Sequence, residues 1–427
     1  MRPFENVPEG WQVARLGDIA QVTFSSVDKN TVDGEIPVDL CNYTDVFYNR
    51  LIRPEMDFMS ATATQRECSQ WSLKQGDVLF TKDSETRNEI GISSFVVEDM
   101  SGVLCGYHLG RARPNPDVLD GQFLAEALGS QLAQRELARI ANGTTRFGLT
   151  LESTRALPVL LPPLAEQRDI ANILDAIDEA IESMESSLIA AQQLRDSLQH
   201  QLITRGVPGW HSEWQEIPKL GITPADWQIA PLQDIADIAF SSVDKKTMLD
   251  EIPVKLCNYT DVFYNRNISS DLDFMTATAT LAECNRWRLK RGDVIFTKDS
   301  ETRDEIGVPA YVAEDIPDLL CGYHLAVARP RVSRVDGAFL MEVLASAKSR
   351  QQFARIANGT TRYGLTLDSA RGFPIPLPCL VEQRTIVSVL FSIDDLIDQT
   401  RAEIVTAQIL KASVSDGLLT GRVRIES

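Results

Sequence analysis

Two stretches of the chain place apolar residues at alternating spacings of four and three. Within 164–204 the positions are Ile170, Leu174, Ile177, Ile181, Met184, Leu188 and Ala191, and Leu198 and Leu202 resume the register after Arg195. Within 380–420, Ile386, Leu390, Ile393, Ile397, Ile404, Ala407, Val414 and Leu418 hold the same heptad positions. A seam of this kind predicts a long helix that needs a partner helix. Each stretch begins just after proline, at Leu161-Pro162-Pro163 and at Leu377-Pro378, and its first turn is acidic; both features suit a helix start. About 40 residues at 1.5 Å each make a rod of roughly 60 Å.

Upstream of each rod the period changes. Short apolar runs at 76–80, 95–97 and 103–109 are bounded by Gly, Asp and Ser, which predicts β-strands. A helix is predicted over 122–141, with Phe123, Leu124, Ala127, Leu128, Leu132 and Leu137 on its apolar face. Residues 205–226 are rich in Gly and Pro and read as a linker.

These elements occur twice, 216 positions apart and in unbroken register from Trp11 and Trp227 to Leu202 and Leu418. LCNYTDVFYNR at 40–50 recurs at 256–266, FTKDSETR at 80–87 at 296–303, and RIANGTTR at 139–146 at 355–362. Solenoid units repeat every 20 to 50 residues or so, so this period is a whole domain. The fold class is α+β: two mixed domains, each followed by a rod. The first rod ends about 60 Å from its own domain, and the short linker starts the second domain near that far end. For the seams to meet, the second rod must run back, giving an antiparallel pair with a domain at each end. Two copies of one device imply a target that also contains two copies of something.

Composition narrows the function. No stretch approaches the ~20 apolar residues of a membrane span, and MRPFENVPEGW lacks the order of a signal peptide, so a cytoplasmic chain without membrane contact is expected. Three cysteines per copy (Cys41, Cys68, Cys105 and Cys257, Cys284, Cys321) plus Cys379 fit reduced thiols better than a disulfide framework. The net charge of −18 argues against a generic nucleic-acid coat. The acid is uneven, however: 164–204 holds 2 basic against 8 acidic groups and 380–420 holds 3 against 6, which leaves basic surface elsewhere.

The rods and the words around them resemble the specificity (S) subunit of type I restriction-modification complexes. The resemblance rests on Val7-Pro8-Glu9-Gly10-Trp11 leading to Leu16-Gly17-Asp18-Ile19, on Gly76-Asp77-Val78-Leu79-Phe80, and on Asn142-Gly143-Thr144-Thr145-Arg146. Most specifically it rests on Pro163-Leu164-Ala165-Glu166-Gln167-Arg168 before a heptad helix, repeated as Cys379-Leu380-Val381-Glu382-Gln383-Arg384 after Leu377-Pro378. It covers nearly the whole chain. It implies target recognition domains at 1–160 and 227–376, spacer helices at 161–205 and within 377–427, and a linker at 206–226. The implied partners are double-stranded DNA, two adenine methyltransferase subunits and restriction/translocase subunits; the subunit itself has no catalysis and no cofactor. In this family the two recognition domains usually differ. Here they match closely, which predicts matching half-sites on opposite strands, an interrupted palindrome.

Three words shared by both copies are the candidate DNA contacts. The first is Lys82, Asp83, Ser84, Glu85, Thr86 and Arg87, with Lys298, Asp299, Ser300, Glu301, Thr302 and Arg303. Here Arg can bridge guanine, Lys a phosphate, and the acids can accept from cytosine; the ordinary alternative is a salt-bridged turn. The second is Asn142, Gly143, Thr144, Thr145 and Arg146, with Asn358, Gly359, Thr360, Thr361 and Arg362. Its glycine lets backbone NH groups approach a phosphate; the alternative is a capped helix stop. The third is Asn42, Tyr43, Asp45 and Tyr48, with Asn258, Tyr259, Asp261 and Tyr264, amide and aromatic groups suited to adenine or else a half-buried strand. Tyr107 and His108, in an apolar run, read as structural. Cys105-x-x-His108 lacks the paired knuckles of a zinc site, so no metal is expected. An acidic scaffold that blocks a DNA-binding protein without touching DNA is the alternative function.

Overall fold

The computed structural model describes residues 7–425 apart from 29, 219, 245 and 246. The chain packs as two compact units. Unit 1 joins residues 1–185 to 402–427, and unit 2 is 186–401.

In unit 1 a five-stranded sheet has the order Ala20–Phe24, Leu109–Pro114, Val78–Thr81, Ser93–Val96, Leu51–Ile52. Its central strand, Val78–Thr81, is buried on both faces. Successive side chains of a strand point to opposite faces, and here they enter different cores. Val78 and Phe80 join the core formed with the helices, while Leu79 packs with Leu40, Leu104 and Cys105 of a second sheet. That sheet has the order Met59–Ala63, Ile36–Cys41, Met100–Cys105, Ser72–Leu73. Unit 2 repeats the division, with Val294 and Phe296 in one core and Ile295 in the other.

Asp77 of the Gly-Asp-Val-Leu-Phe word is fully buried. It receives two hydrogen bonds from Arg113, at 2.6 and 2.7 Å, and one from the Lys74 backbone NH at 3.0 Å. Asp293 is held by Arg329 at 2.8 Å. This word therefore anchors the strand start and is structural.

The rods are helices Leu164–Arg205 and Leu380–Leu419. Every predicted seam residue is buried or half-buried. Within unit 1, Asp178 meets Lys411 of the other rod, and Glu166 at the first rod's start meets Arg424 just past the second rod's end, so the two rods run antiparallel there. Within unit 2, Arg195 meets Asp394 and Val207 NH meets Glu382, again antiparallel. Each of these domain cores takes in the start of one rod and the end of the other: Ile170 and Leu174 with Leu418 in unit 1, Ile386 and Leu390 with Leu202 in unit 2.

The Glu-Gln pair of the junction word fastens each rod to its domain. Gln167 is completely buried; it accepts from Asp120 NH at 2.9 Å and donates to the carbonyls of Val118 and Pro162. Gln383 does the same with Asp336 NH and the carbonyls of Arg334 and Pro378. Glu166 accepts from the Trp11 indole at 3.0 Å, and Glu382 from that of Trp227 at 3.1 Å.

Four expectations are corrected. The helix expected over 122–141 is two helices, Gly121–Gly129 and Gln131–Ile140, because the Ser130 side chain caps the second by accepting from Ala133 NH. The run at 103–109 is a strand end, a turn at Gly106-Tyr107-His108 and a new strand from Leu109. The linker is folded: Trp214–Ile217 and Gly221–Pro224 form a hairpin, and His211 Nε2 lies 2.7 Å from a Glu382 carboxylate oxygen. The strand reading of the third word gives way to helix Tyr43–Tyr48, closed by a capping box in which Asn42 NH donates to Asp45 at 2.6 Å.

Candidate nucleic-acid interface

The central strand of unit 1 ends at Thr81, and the next residue ties the loops together. Lys82 NH donates to the His108 carbonyl at 3.1 Å, and Leu149 NH donates to the Lys82 carbonyl at 2.8 Å. Asp83-Ser84 then pairs antiparallel with Phe147-Gly148. The first and second words, 60 residues apart in sequence, are thus neighbours, and the turn at Tyr107-His108 lies between them.

Asp83 is the hub. It contacts His108 Nδ1 at 2.7 Å and accepts from Arg146 Nη2 at 3.3 Å. Asp299 repeats this with His324 at 2.5 Å and Arg362 at 3.2 Å. Burial alone would push the Asp299 carboxyl up, but hydrogen bonds from Lys298 and His324 hold it below the usual carboxylate range. Lys82 is half-buried over the Tyr107 ring, 4.3 Å from its centre, and donates to the Ser25 carbonyl. Burial lowers its pKa against the pull of Asp83. Lys298 lies at the same 4.3 Å from Tyr323.

The third word reaches the same place from the side. Ser84 donates to Glu89 at 2.6 Å, and the Tyr43 hydroxyl lies 3.3 Å from Ser84. In unit 2 Tyr259 donates to Glu305 at 2.9 Å, and burial pushes its hydroxyl up to about 12. Arg87 stacks on Phe147 and Arg303 on Tyr363, each 4.7 Å from the ring centre.

The candidates separate by availability. Glu85, Thr86, Arg87, Thr144, Thr145 and Arg146 are exposed, as are Glu301, Thr302, Arg303, Thr360, Thr361 and Arg362. Asn42 and Asn258 are buried caps, with Asp45 and Asp261 closing the boxes, so their polar groups are committed to the helix start. Tyr48 and Tyr264 are 77% exposed. Tyr48 borders a cleft at the rods with Arg50 and Glu182, away from Asp83. Ser84 and Ser300 are buried behind the loop.

Gly143 has φ +124°, and a Cβ there would lie 1.9 Å from the Arg146 carbonyl oxygen; Gly359 repeats this. The loop closes on itself through reciprocal backbone hydrogen bonds between Asn142 and Gly148. Only glycine fits this turn. Tyr107 and His108, read from the sequence as structural, and Glu89, which it did not single out, lie within this contact network, as do Tyr323, His324 and Glu305. The one available signal was that the Gly-Tyr-His-Leu word is duplicated intact.

Cys41 and Cys105 are buried with their thiols pushed up by burial, Cys105 to about 12. All seven cysteines are free. Among the described residues no group of His, Cys, Asp and Glu is arranged to hold a metal ion, and no helix is long and apolar enough to cross a membrane.

A loop cluster built twice, each on a mixed domain rooted in paired rods, defines a duplicated recognition module. The family model of the type I restriction modification DNA specificity domain matches residues 8–192 and again 224–406. The chain belongs to this family and is a DNA sequence-recognition subunit. It is 24% identical to the type I restriction enzyme MjaVIII specificity subunit of Methanocaldococcus jannaschii, over 99% of this chain and 95% of that one. Among solved structures it is similar to the S subunit of a type I restriction-modification system from M. genitalium (TM-score 0.54, 15% identity, 97% and 96% coverage). It is also similar to the HsdS subunit of Thermoanaerobacter tengcongensis (TM-score 0.51, 16% identity, 99% and 100% coverage). The acidic-scaffold alternative is not favoured by these relationships.

Proposed function

We propose that the chain reads an interrupted palindrome, each recognition domain contacting one half-site through the loop cluster around Asp83 or Asp299. The observation that carries this is the repetition of the cluster's centre: the Asp83–His108–Arg146 contacts recur as Asp299–His324–Arg362, at positions 216 apart. Equivalent readers call for equivalent half-sites, and the antiparallel arrangement expected from connectivity calls for those half-sites to be inverted.

In this reading Lys82, Arg87, Thr144, Thr145 and Arg146, with Lys298, Arg303, Thr360, Thr361 and Arg362, face DNA. Asp83, Ser84, Asp299 and Ser300 position them, and Glu85 and Glu301 are available to accept from a base edge. Gly143 and Gly359 open backbone NH groups to a phosphate. Tyr43 and Tyr259 border the site, while Asn42, Asp45, Asn258 and Asp261 hold the helix beside it; Tyr48 and Tyr264 are DNA contacts only if the duplex extends toward the rods.

The chain works in the cytoplasm without catalysis or cofactor of its own, in a complex with two adenine methyltransferase subunits and with restriction/translocase subunits. The domain limits are those read from the sequence, 1–160 and 227–376, with spacers at 161–205 and within 377–427. Two equivalent docking surfaces are supported by exposed apolar residues that recur in register along the rods: Ile173 and Val389, Ile189 and Val405, Leu194 and Leu410. With a net charge of −18 the isolated chain grips DNA weakly, and its partners supply further phosphate contacts. A gel-shift series with and without co-expressed methyltransferase tests this. Sequence-selective binding by the assembled complex is expected; no selective binding in either case overturns it.

A further inference from the structure

We propose that His108 and His324 are specificity-determining residues, each using an unprotonated Nε2 to accept a hydrogen bond from the exocyclic amino group of an adenine or cytosine in the major groove. This rests on the reading of the loop clusters as the DNA interface and names a base-reading group within it.

The geometry fixes the tautomer. An ionised aspartate only accepts hydrogen bonds, and Asp299 is kept ionised by its donors. Its contact with His324 Nδ1 is 2.5 Å, and that of Asp83 with His108 Nδ1 is 2.7 Å. Each Nδ1 must therefore carry the proton. Arg362 Nη2 lies 3.2 Å from the same nitrogen and 3.2 Å from the same carboxylate; the shorter aspartate contact takes the Nδ1 proton, and the guanidinium is satisfied by the carboxylate. In the neutral ring Nε2 is then the acceptor, and among the described residues it has no hydrogen-bond partner.

The ring is also held in place and reachable. It stands edge-on to Tyr107 at 5.1 Å and 84°, and to Tyr323 at 5.1 Å and 88°. Lys82 and Lys298 lie over the rings of Tyr107 and Tyr323. The His side chains are 30% exposed in both copies. His324 borders two hollows of about 330 and 280 Å³: one shared with Asn258, Tyr259 and Tyr323, the other with Asp299, Glu301 and Arg362. Both hollows lie against the His324 side chain. In the major groove the groups that donate to such an acceptor are adenine N6 and cytosine N4.

The test uses the chain assembled with its methyltransferase subunits, assayed on a library of duplexes by sequencing the methylated products. His108→Asn keeps a donor toward Asp83 and removes the group at the Nε2 position. It is expected to relax preference at one A or C position of one half-site by about tenfold, as loss of one hydrogen bond allows, with the other half-site unchanged. His324→Asn does the same to the other half-site. His108→Gln, whose amide reaches the Nε2 position, restores part of the preference. Uniformly slower methylation with an unaltered motif in His108→Asn and His324→Asn overturns the proposal and leaves histidine a structural brace. Arg146→Ala with Arg362→Ala separates the two levels: if that pair leaves DNA affinity unchanged, the interface itself is misplaced; if affinity falls but the histidine variants keep the motif, only the base-reading role fails.

Discussion

Arg195 and Asp394 form a two-point ion pair across the rods of unit 2, at 2.9 and 3.1 Å. The same guanidinium reaches the fully buried Glu342 of the recognition domain at 2.7 Å, and Arg266 contacts Glu342 at 2.5 Å. Repeat-equivalent positions in unit 1 are Lys411, Asp178, Glu126 and Arg50. Lys411 pairs with Asp178 at 2.7 Å but stands 4.0 Å from Glu126. Both units therefore lock domain to rods through this ionic quartet, but in unit 1 Arg50 pairs with rod residues Asp175 at 2.6 Å and Asp178 at 3.3 Å rather than with Glu126. Removing one partner of a buried pair strands the other. Arg195→Ala is expected to cost about 3–5 kcal/mol, read as a lower denaturation midpoint. Lys411→Ala should cost less, since Lys411 is 25% exposed against 5% for Arg195.

The quartet also makes a pH prediction. Burial raises the Glu126 pKa above the ordinary 4.5, although Lys411 opposes this. A carboxyl raised in the folded state supports folding below its unfolded value, and that support is lost as pH rises through the folded value. Glu126→Gln should match the parent near pH 4.5 and exceed it in urea midpoint at neutral pH. Equal midpoints at both pH values contradict the assignment.

Gln167 and Gln383 are the fasteners of rod to domain. Replacing either by Ala leaves a buried backbone NH and two carbonyls without partners, each worth roughly 1–3 kcal/mol. Denaturant melts should show a midpoint loss of at least that of one such group, whereas exposed Arg168→Ala should be near neutral.

In the assembled complex, Arg146→Ala with Arg362→Ala should weaken DNA binding evenly across sequences. Each lost phosphate contact should lower the slope of log K against log salt by about 0.9. Gly143→Ala should reduce binding as well, by forcing the loop open at the Arg146 carbonyl; a slope and affinity unchanged in both variants would place DNA elsewhere.

Much of the architecture was legible because it is periodic. The heptad seams marked both rods, but the break at Arg195 gave no sign of its ion pair with Asp394. The proline-led junction words placed the rod starts at Leu164 and Leu380. What escaped was set by single side chains or by contacts distant in sequence. Ser130 caps a helix in the middle of an apolar pattern that looks continuous. Asn42 and Asp45 look like base readers but are spent on a capping box, a local hydrogen-bond choice that periodicity does not register. Tyr107-His108 sits in a run apolar enough to pass for strand, and only the pairing of Asp83-Ser84 with Phe147-Gly148 reveals that it lies between two loops.

The central claim is that two equivalent readers face inverted equivalent half-sites, and methylome sequencing of cells carrying the intact system measures this directly. The account predicts methylated adenines within an interrupted palindrome whose halves are inverted copies. Two unrelated half-sites flanking the gap would contradict it.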